Sequence, residues 1–192
     1  MTDKDKREKG GSYFASGKKK QRKAMMIAIP AIVAIIAIIA IGATVYKPEP
    51  VQAIDGIPCN PGESVTFHIH AHLDVFVNGK SATVPALIGI PQGKCYYWLH
   101  THTTDGIIHM EAPTAQNFTL GKFVDIWDRT QPDSISSTLQ NSPVTAYVNS
   151  NTTKFVGSYR DIPLSSKEQI TLVIGQPPAV IPKDYPANGP PQ

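Results

Sequence analysis

Between Val65 and Val77 the chain alternates strictly. Val65, Phe67, Ile69, Ala71, Leu73, Val75 and Val77 are apolar, while Thr66, His68, His70, His72, Asp74 and Phe76 fall between them. A period of two predicts a strand that buries its odd face and carries three histidines on the other. Asn78-Gly79 follows and suits a type I′ turn, because both residues accept positive φ; Lys80 to Val84 should return as the paired strand. A second hairpin is predicted from Cys95–His102 and Ile107–Ala112, joined around Asp105-Gly106. A two-residue loop sets His102 opposite His109 and His100 opposite Glu111, whereas a four-residue loop sets His100 opposite His109. Either register keeps His100, His102, His109 and Glu111 on one face, since a two-residue shift preserves parity.

The period then changes. Leu120, Phe123, Val124 and Trp127 recur at helical spacing after Thr119, a suitable N-cap, and predict one short helix with Trp127 in the core. Gly121 in its first turn is an unfavourable choice. Short strands are expected at 144–148, 154–158 and 169–174. The segments 47–62 and 176–192 are rich in proline and read as a spacer and an extended tail.

One stretch has no alternation. Residues 24–46 contain no charged side chain, and at ~1.5 Å per residue they can span the ~30 Å hydrocarbon core of a bilayer. Pro30 lies near the start of this stretch, where a helix tolerates it best. The competing reading is a signal peptide cleaved after a small residue such as Ala43 or Ala53, but the stretch exceeds the ~7–15 apolar residues usual there. Residues 1–23 are polar and basic and are expected to be disordered.

Charge sets the orientation. Through Lys23 the chain has nine Lys and Arg against three acids, leaving nine basic and twelve acidic residues beyond, so the net +3 hides two opposite halves. The basic run at Lys18, Lys19, Lys20, Arg22 and Lys23 places the N-terminus in the cytoplasm and everything after Tyr46 outside. The outer part is mildly acidic, which argues against nucleic acid as a partner. Cys59 and Cys95 both lie there, and an oxidising compartment favours a disulfide between them. The alternative, one thiolate as a metal ligand, has no CxxC motif in its favour. Asn117 and Asn151 head candidate N-glycosylation acceptors, NFT and NTT.

All six histidines fall in two compact sets: His68, His70 and His72, then His100, His102 and His109. Side chains at i and i+2 on a strand stand ~6.5–7 Å apart, so two imidazoles can lean onto one ion while a third reaches it from the next strand. Gathered imidazoles repel one another once protonated, which makes a bound metal a more economical reason for the cluster than a pH response. Asp74 and Glu111 are candidates to orient rings by hydrogen bonds, or Glu111 to act as a base on bound water; solvated surface is their bland alternative. All-imidazole sites suit copper or zinc among other metals. No nucleophile elbow, phosphate loop or haem-attachment motif is present.

HIHAHLDVFVNGK, LHTHTTDGIIHMEAP and FTLGKFVDIW resemble a family of membrane-anchored archaeal and bacterial extracytoplasmic proteins with the pattern HxHxHLxVFVNG, HTHDxxGIIHIE, FTLGxFFxxW. The likeness covers Phe67 to Trp127 and is specific at His68, His70, His72, His100, His102, His109 and Glu111. It departs at Thr103-Thr104, which moves the acid to Asp105. Archaeal members belong to ammonia oxidisers, whose surface chemistry relies on copper, so the resemblance implies a metal site but brings no activity with it.

The expected fold is mainly β, of α+β type: a transmembrane helix (24–46), then an antiparallel β domain (63–175) with one short helix. The expected function is a signal-anchored extracytoplasmic protein that binds copper or zinc through its histidine cluster. It would handle metal for, or support, a membrane metalloenzyme or another envelope protein, with the lipid bilayer as its first partner. A His₃-metal enzyme using activated water is the rival reading, and a structural or pH-responsive envelope module the third.

Overall fold

A computed structural model describes residues 15–45, 51–64, 66–149 and 154–190. The chain divides into two compact units, Met1–Pro50 and Val51–Gln192. The first holds helix α1 (Ala15–Val45), which begins well before the apolar stretch and encloses Pro30 in its interior. The expectation of disorder through Lys23 is therefore corrected from Ala15 onward: Lys, Gln and Arg are good helix formers, and nothing between them breaks a helix. Its residues 25–42 are apolar, uncharged and exposed throughout. This is the length and composition of a membrane span or signal anchor.

The second unit is built on one long strand. Strand β1 (Cys59–Asn60) precedes β2 (Phe67–Val77), which turns through Asn78 and Gly79, both at positive φ, into β3 (Lys80–Ala82). Then come β4 (Tyr96–Tyr97), β5 (Leu99–His100), β6 (Ile107–Ala112), helices α2 (Leu120–Thr130) and α3 (Ser134–Asn141), and strands β7 (Val144–Val148) and β8 (Glu168–Ile174). The main sheet has the order β5-β6-β2-β8-β7. One edge of β2 is shared. Phe67–His72 pair with β6, Val75–Val77 pair with β3, and between them Leu73 N–H donates to the carbonyl of Gly106. The other edge of β2 runs parallel to β8, the one parallel pair in a sheet otherwise antiparallel.

Alternation along β2 sends Ala71, Leu73 and Val75 into a core completed by Leu120, Phe123, Val124 and Trp127 of α2 and by Ile170 and Leu172 of β8. Helix α2 starts where the sequence places it, although the Thr119 side chain makes no capping bond. Gly121 has a packing reason: a Cβ there would lie 2.8 Å from the carbonyl oxygen of Arg160.

Four further expectations are corrected. The CYYWLHTH segment is two short strands, β4 pairing with β1 and β5 with β6, because the chain breaks step at Trp98. Among the described residues of 154–158 no strand forms; Phe155 N–H reaches Ala146, but Gly157 at φ 129° turns the chain away. Helix α3 went unforeseen, though its Asp133/Ser136 capping box is written in the sequence. Both proline-rich segments are partly folded in: Ile57 is buried, and the tail lays the Pro182 carbonyl on the Thr171 hydroxyl.

Cys59 and Cys95 form a disulfide across a sequence separation of 36, beside the β1–β4 pair. Two two-residue strands cannot hold that corner alone. Cys59→Ser with Cys95→Ser should lower the unfolding free energy by about 3–4 kcal/mol, read from urea denaturation, by the loop-entropy account of cross-links.

Candidate metal centre

The cluster is assembled by strand register. His70 of β2 lies opposite His109 of β6, and His109 lies opposite His100 of β5. Three histidines thus form one row across three neighbouring strands, in the register that a four-residue loop demands. The next row holds His68 opposite Glu111. Cross-strand partners share a face with Cβ atoms ~4.5–5.5 Å apart, so all these side chains point the same way. Met110, between His109 and Glu111, is fully buried on the other face. His102 has left the strand, but its ring returns to the cluster, with Nε2 3.2 Å from Nε2 of His100.

This face is not open to solvent. His70, His100 and Glu111 are buried, whereas the side chains of His68 and His102 are 37% and 36% exposed and form the rim. Glu111 lies at the centre: its Oε1 is 3.1 Å from His68 Nε2, 3.4 Å from His109 Nδ1 and 3.8 Å from His100 Nε2. Its Oε2 is buried without a hydrogen-bond partner. The sequence offered Glu111 as a group that orients rings, as a base on bound water, or as solvated surface; the structure buries it among the candidate ligands.

Two overlapping groups can hold a metal ion: His100, His102, His109 and Glu111, and His68, His70 and His109, each with its ligand atoms within 4.8 Å of one another. The close contacts, His70 Nε2 to His109 Nδ1 and His100 Nε2 to His102 Nε2, are both 3.2 Å. Tetrahedral coordination with ~2.0–2.1 Å metal–nitrogen bonds has nitrogen–nitrogen edges of about 3.3–3.4 Å, so little movement separates these contacts from coordination. The carbonyl of Tyr97 accepts from His100 Nδ1 at 2.8 Å. A carbonyl can only accept, so the proton sits on Nδ1 and the Nε2 lone pair faces inward.

Protonation agrees with this arrangement. Burial pushes the His70 imidazole down to about 4, helped by His109 and His68. Burial likewise pushes His100 down to about 4, against the Tyr97 carbonyl and Glu111, which favour the charged form. His102 is also lowered, by burial and then by His109. Burial acts to raise Glu111, but the hydrogen bond with His109 and the nearby charges of His100 and His68 outweigh it and hold the carboxyl below its usual range. Near neutral pH the buried floor therefore offers neutral imidazoles and one carboxylate, the forms that bind a metal.

His72 stands apart. Its Nδ1 is 2.7 Å from Oε1 of Gln169 and its Nε2 is 2.8 Å from the carbonyl of Asp105. Gln169 is oriented by its own Nε2, which donates to Asp74 Oδ2 at 2.9 Å and to the Ile170 carbonyl. Both His72 nitrogens are thus engaged by protein groups, Gln169 and the Asp105 carbonyl, and neither is turned to the cluster. Asp74 serves this network and not the cluster. Gly106 permits it: at φ 77°, a Cβ there would lie 2.4 Å from Leu73 O and 3.1 Å from His72 Nε2.

Sequence reasoning missed Glu63, whose Oε1 is 3.2 Å from His102 Nε2. A signal existed: Cys59 ties its segment to the chain that carries His100, and Glu63 follows four residues later. It also missed Gln169, which reads only as part of a strand. Asn117 is exposed, as a glycosylation acceptor must be, and Asn151 lies outside the described residues.

The depressed imidazoles make the metal-free protein acid-sensitive. Unfolded histidines take up protons near pH 6.5, while folded His70 and His100 resist until about 4. The unfolded state therefore binds more protons across this window, and stability present above it is lost as the pH falls. The melting temperature of the chelator-treated protein should drop steadily between pH 6.5 and 4; an unchanged value would contradict the burial argument. Comparison with known proteins finds no family model, no curated relative and no solved structure that matches this chain.

Proposed function

We propose that this chain is a membrane-anchored, extracytoplasmic protein that binds copper or zinc through His68, His70, His100, His102, His109 and Glu111. It handles that metal for, or supports, a membrane metalloenzyme. The observation that carries the metal reading is the inward Nε2 of His100, fixed by the Tyr97 carbonyl inside a group of four donors. A histidine whose only task was to be satisfied would not need a second imidazole at 3.2 Å and a carboxylate beyond it.

The outer location rests on three features that agree. The apolar helix has the makeup of an anchor, the basic run precedes it, and the disulfide belongs to an oxidising compartment. Copper and zinc are the imidazole-preferring metals that best suit such a place. Membership of the extracytoplasmic family that the three motifs resemble would favour copper. A metal-dependent enzyme is the second reading, favoured by the rim: His68 and His102 are more than one-third exposed, so part of the ligand set faces solvent.

Elemental mass spectrometry on the untagged full-length chain, purified in detergent and dialysed, tests the proposal. At least one equivalent of copper or zinc is expected, lost in His100→Ala with His102→Ala. No metal after controlled reconstitution, or equal metal in both proteins, overturns it. His72→Ala is the counter-case: it strands buried partners, should cost about 1–3 kcal/mol of stability, and should leave metal content unchanged.

A further inference from the structure

We propose that the cluster is a two-ion centre in which Glu111 is the shared ligand. His68, His70 and His109 hold one ion, His100 and His102 hold the other, and the Glu111 carboxylate touches both. This rests on the metal-binding reading above and adds to it the number of ions and the role of Glu111.

The donors outnumber what one ion takes. A four-coordinate ion uses four ligands, whereas five imidazoles and a carboxylate converge here. They also separate by contact. His70 meets His109 at 3.2 Å and His100 meets His102 at 3.2 Å, and the two groups of possible ligands have only His109 in common. Each group has a buried member at the floor, His70 or His100, and an exposed member at the rim, His68 or His102. Each group therefore presents one imidazole to solvent, where an arriving ion would first bind.

Glu111 joins them. Its Oε1 is close to His68 and His109 from one group and to His100 from the other. Its Oε2 is buried and has no hydrogen-bond partner. Leaving a carboxylate oxygen buried and unpaired is costly, and a second ion gives it a ligand bond. Paired metal sites place their ions ~3.5–4 Å apart, a gap that one carboxylate spans with its two oxygens. One buried carboxylate offsets little of the charge of two divalent ions. Glu63, against His102, adds a second negative group at the rim. The second ion should accordingly bind at least ~10-fold more weakly than the first, because the ions repel across a short distance.

The test titrates the untagged, chelator-stripped full-length chain in detergent with Cu²⁺ alone, following bound copper by elemental analysis and unpaired spins by electron paramagnetic resonance. Two equivalents are expected, in two steps. The spin signal should rise through the first equivalent and fall short of two spins at the second, because the carboxylate couples the ions. His68→Ala, a change at an exposed position, should keep one copper with its full spin signal. Glu111→Gln should keep at most two uncoupled spins. One equivalent in the unaltered chain would overturn the two-ion centre and leave the metal-binding reading standing. Two equivalents with two full spins would overturn the bridge. No bound copper in this titration would overturn the two-ion centre, and neither copper nor zinc in the reconstitution described above would overturn both readings.

Discussion

A carboxylate held under a roof of imidazoles is the constraint on which this domain turns. Glu111 is 2% exposed, and among the described residues no lysine or arginine pairs with it; its near neighbours are His68, His100 and His109. Burying an ionised carboxyl is tolerable only where donors surround it. The two imidazoles within hydrogen-bond distance, His68 and His109, come from the paired strands β2 and β6, so the sheet register and the charge at its centre depend on each other. A slip of β6 by one residue would send Glu111 and His109 into the apolar core and Met110 onto the polar face.

Much else follows from keeping that register. Strand β2 has 11 residues because it must reach β6 with one half of an edge and β3 with the other. Gly106 sits at the changeover, where its carbonyl takes the Leu73 amide and its missing side chain lets the loop lie on His72. The His72–Gln169–Asp74 network then binds β2 to β8 with polar contacts, beside the apolar ones on the opposite face. Six histidines thus divide between two tasks: five surround the carboxylate, and one fastens the sheet.

Local patterns were readable in the chain, and distant contacts were not. Alternation from Phe67 to Val77, the Asn78-Gly79 turn and the stripe of α2 are short-range signals with one physical solution each. Parity alone put His100, His102, His109 and Glu111 on one face before any register was known. The parallel pairing of β8 with β2 had no such signal, because nothing local tells Ile170 that Leu73 is its neighbour. His72 was indistinguishable from His68 and His70 in sequence; only Gln169 and Asp105, far along the chain, set it apart. Glu63 was obscured by a proline-rich setting that reads as a spacer.

The Cys59–Cys95 bond also has a mechanical meaning. The two-residue β1–β4 pairing would fray easily by itself. The covalent link keeps the segment that carries Glu63 beside the one that carries His100 and His102, so fraying of that short ladder does not part Glu63 from its imidazole.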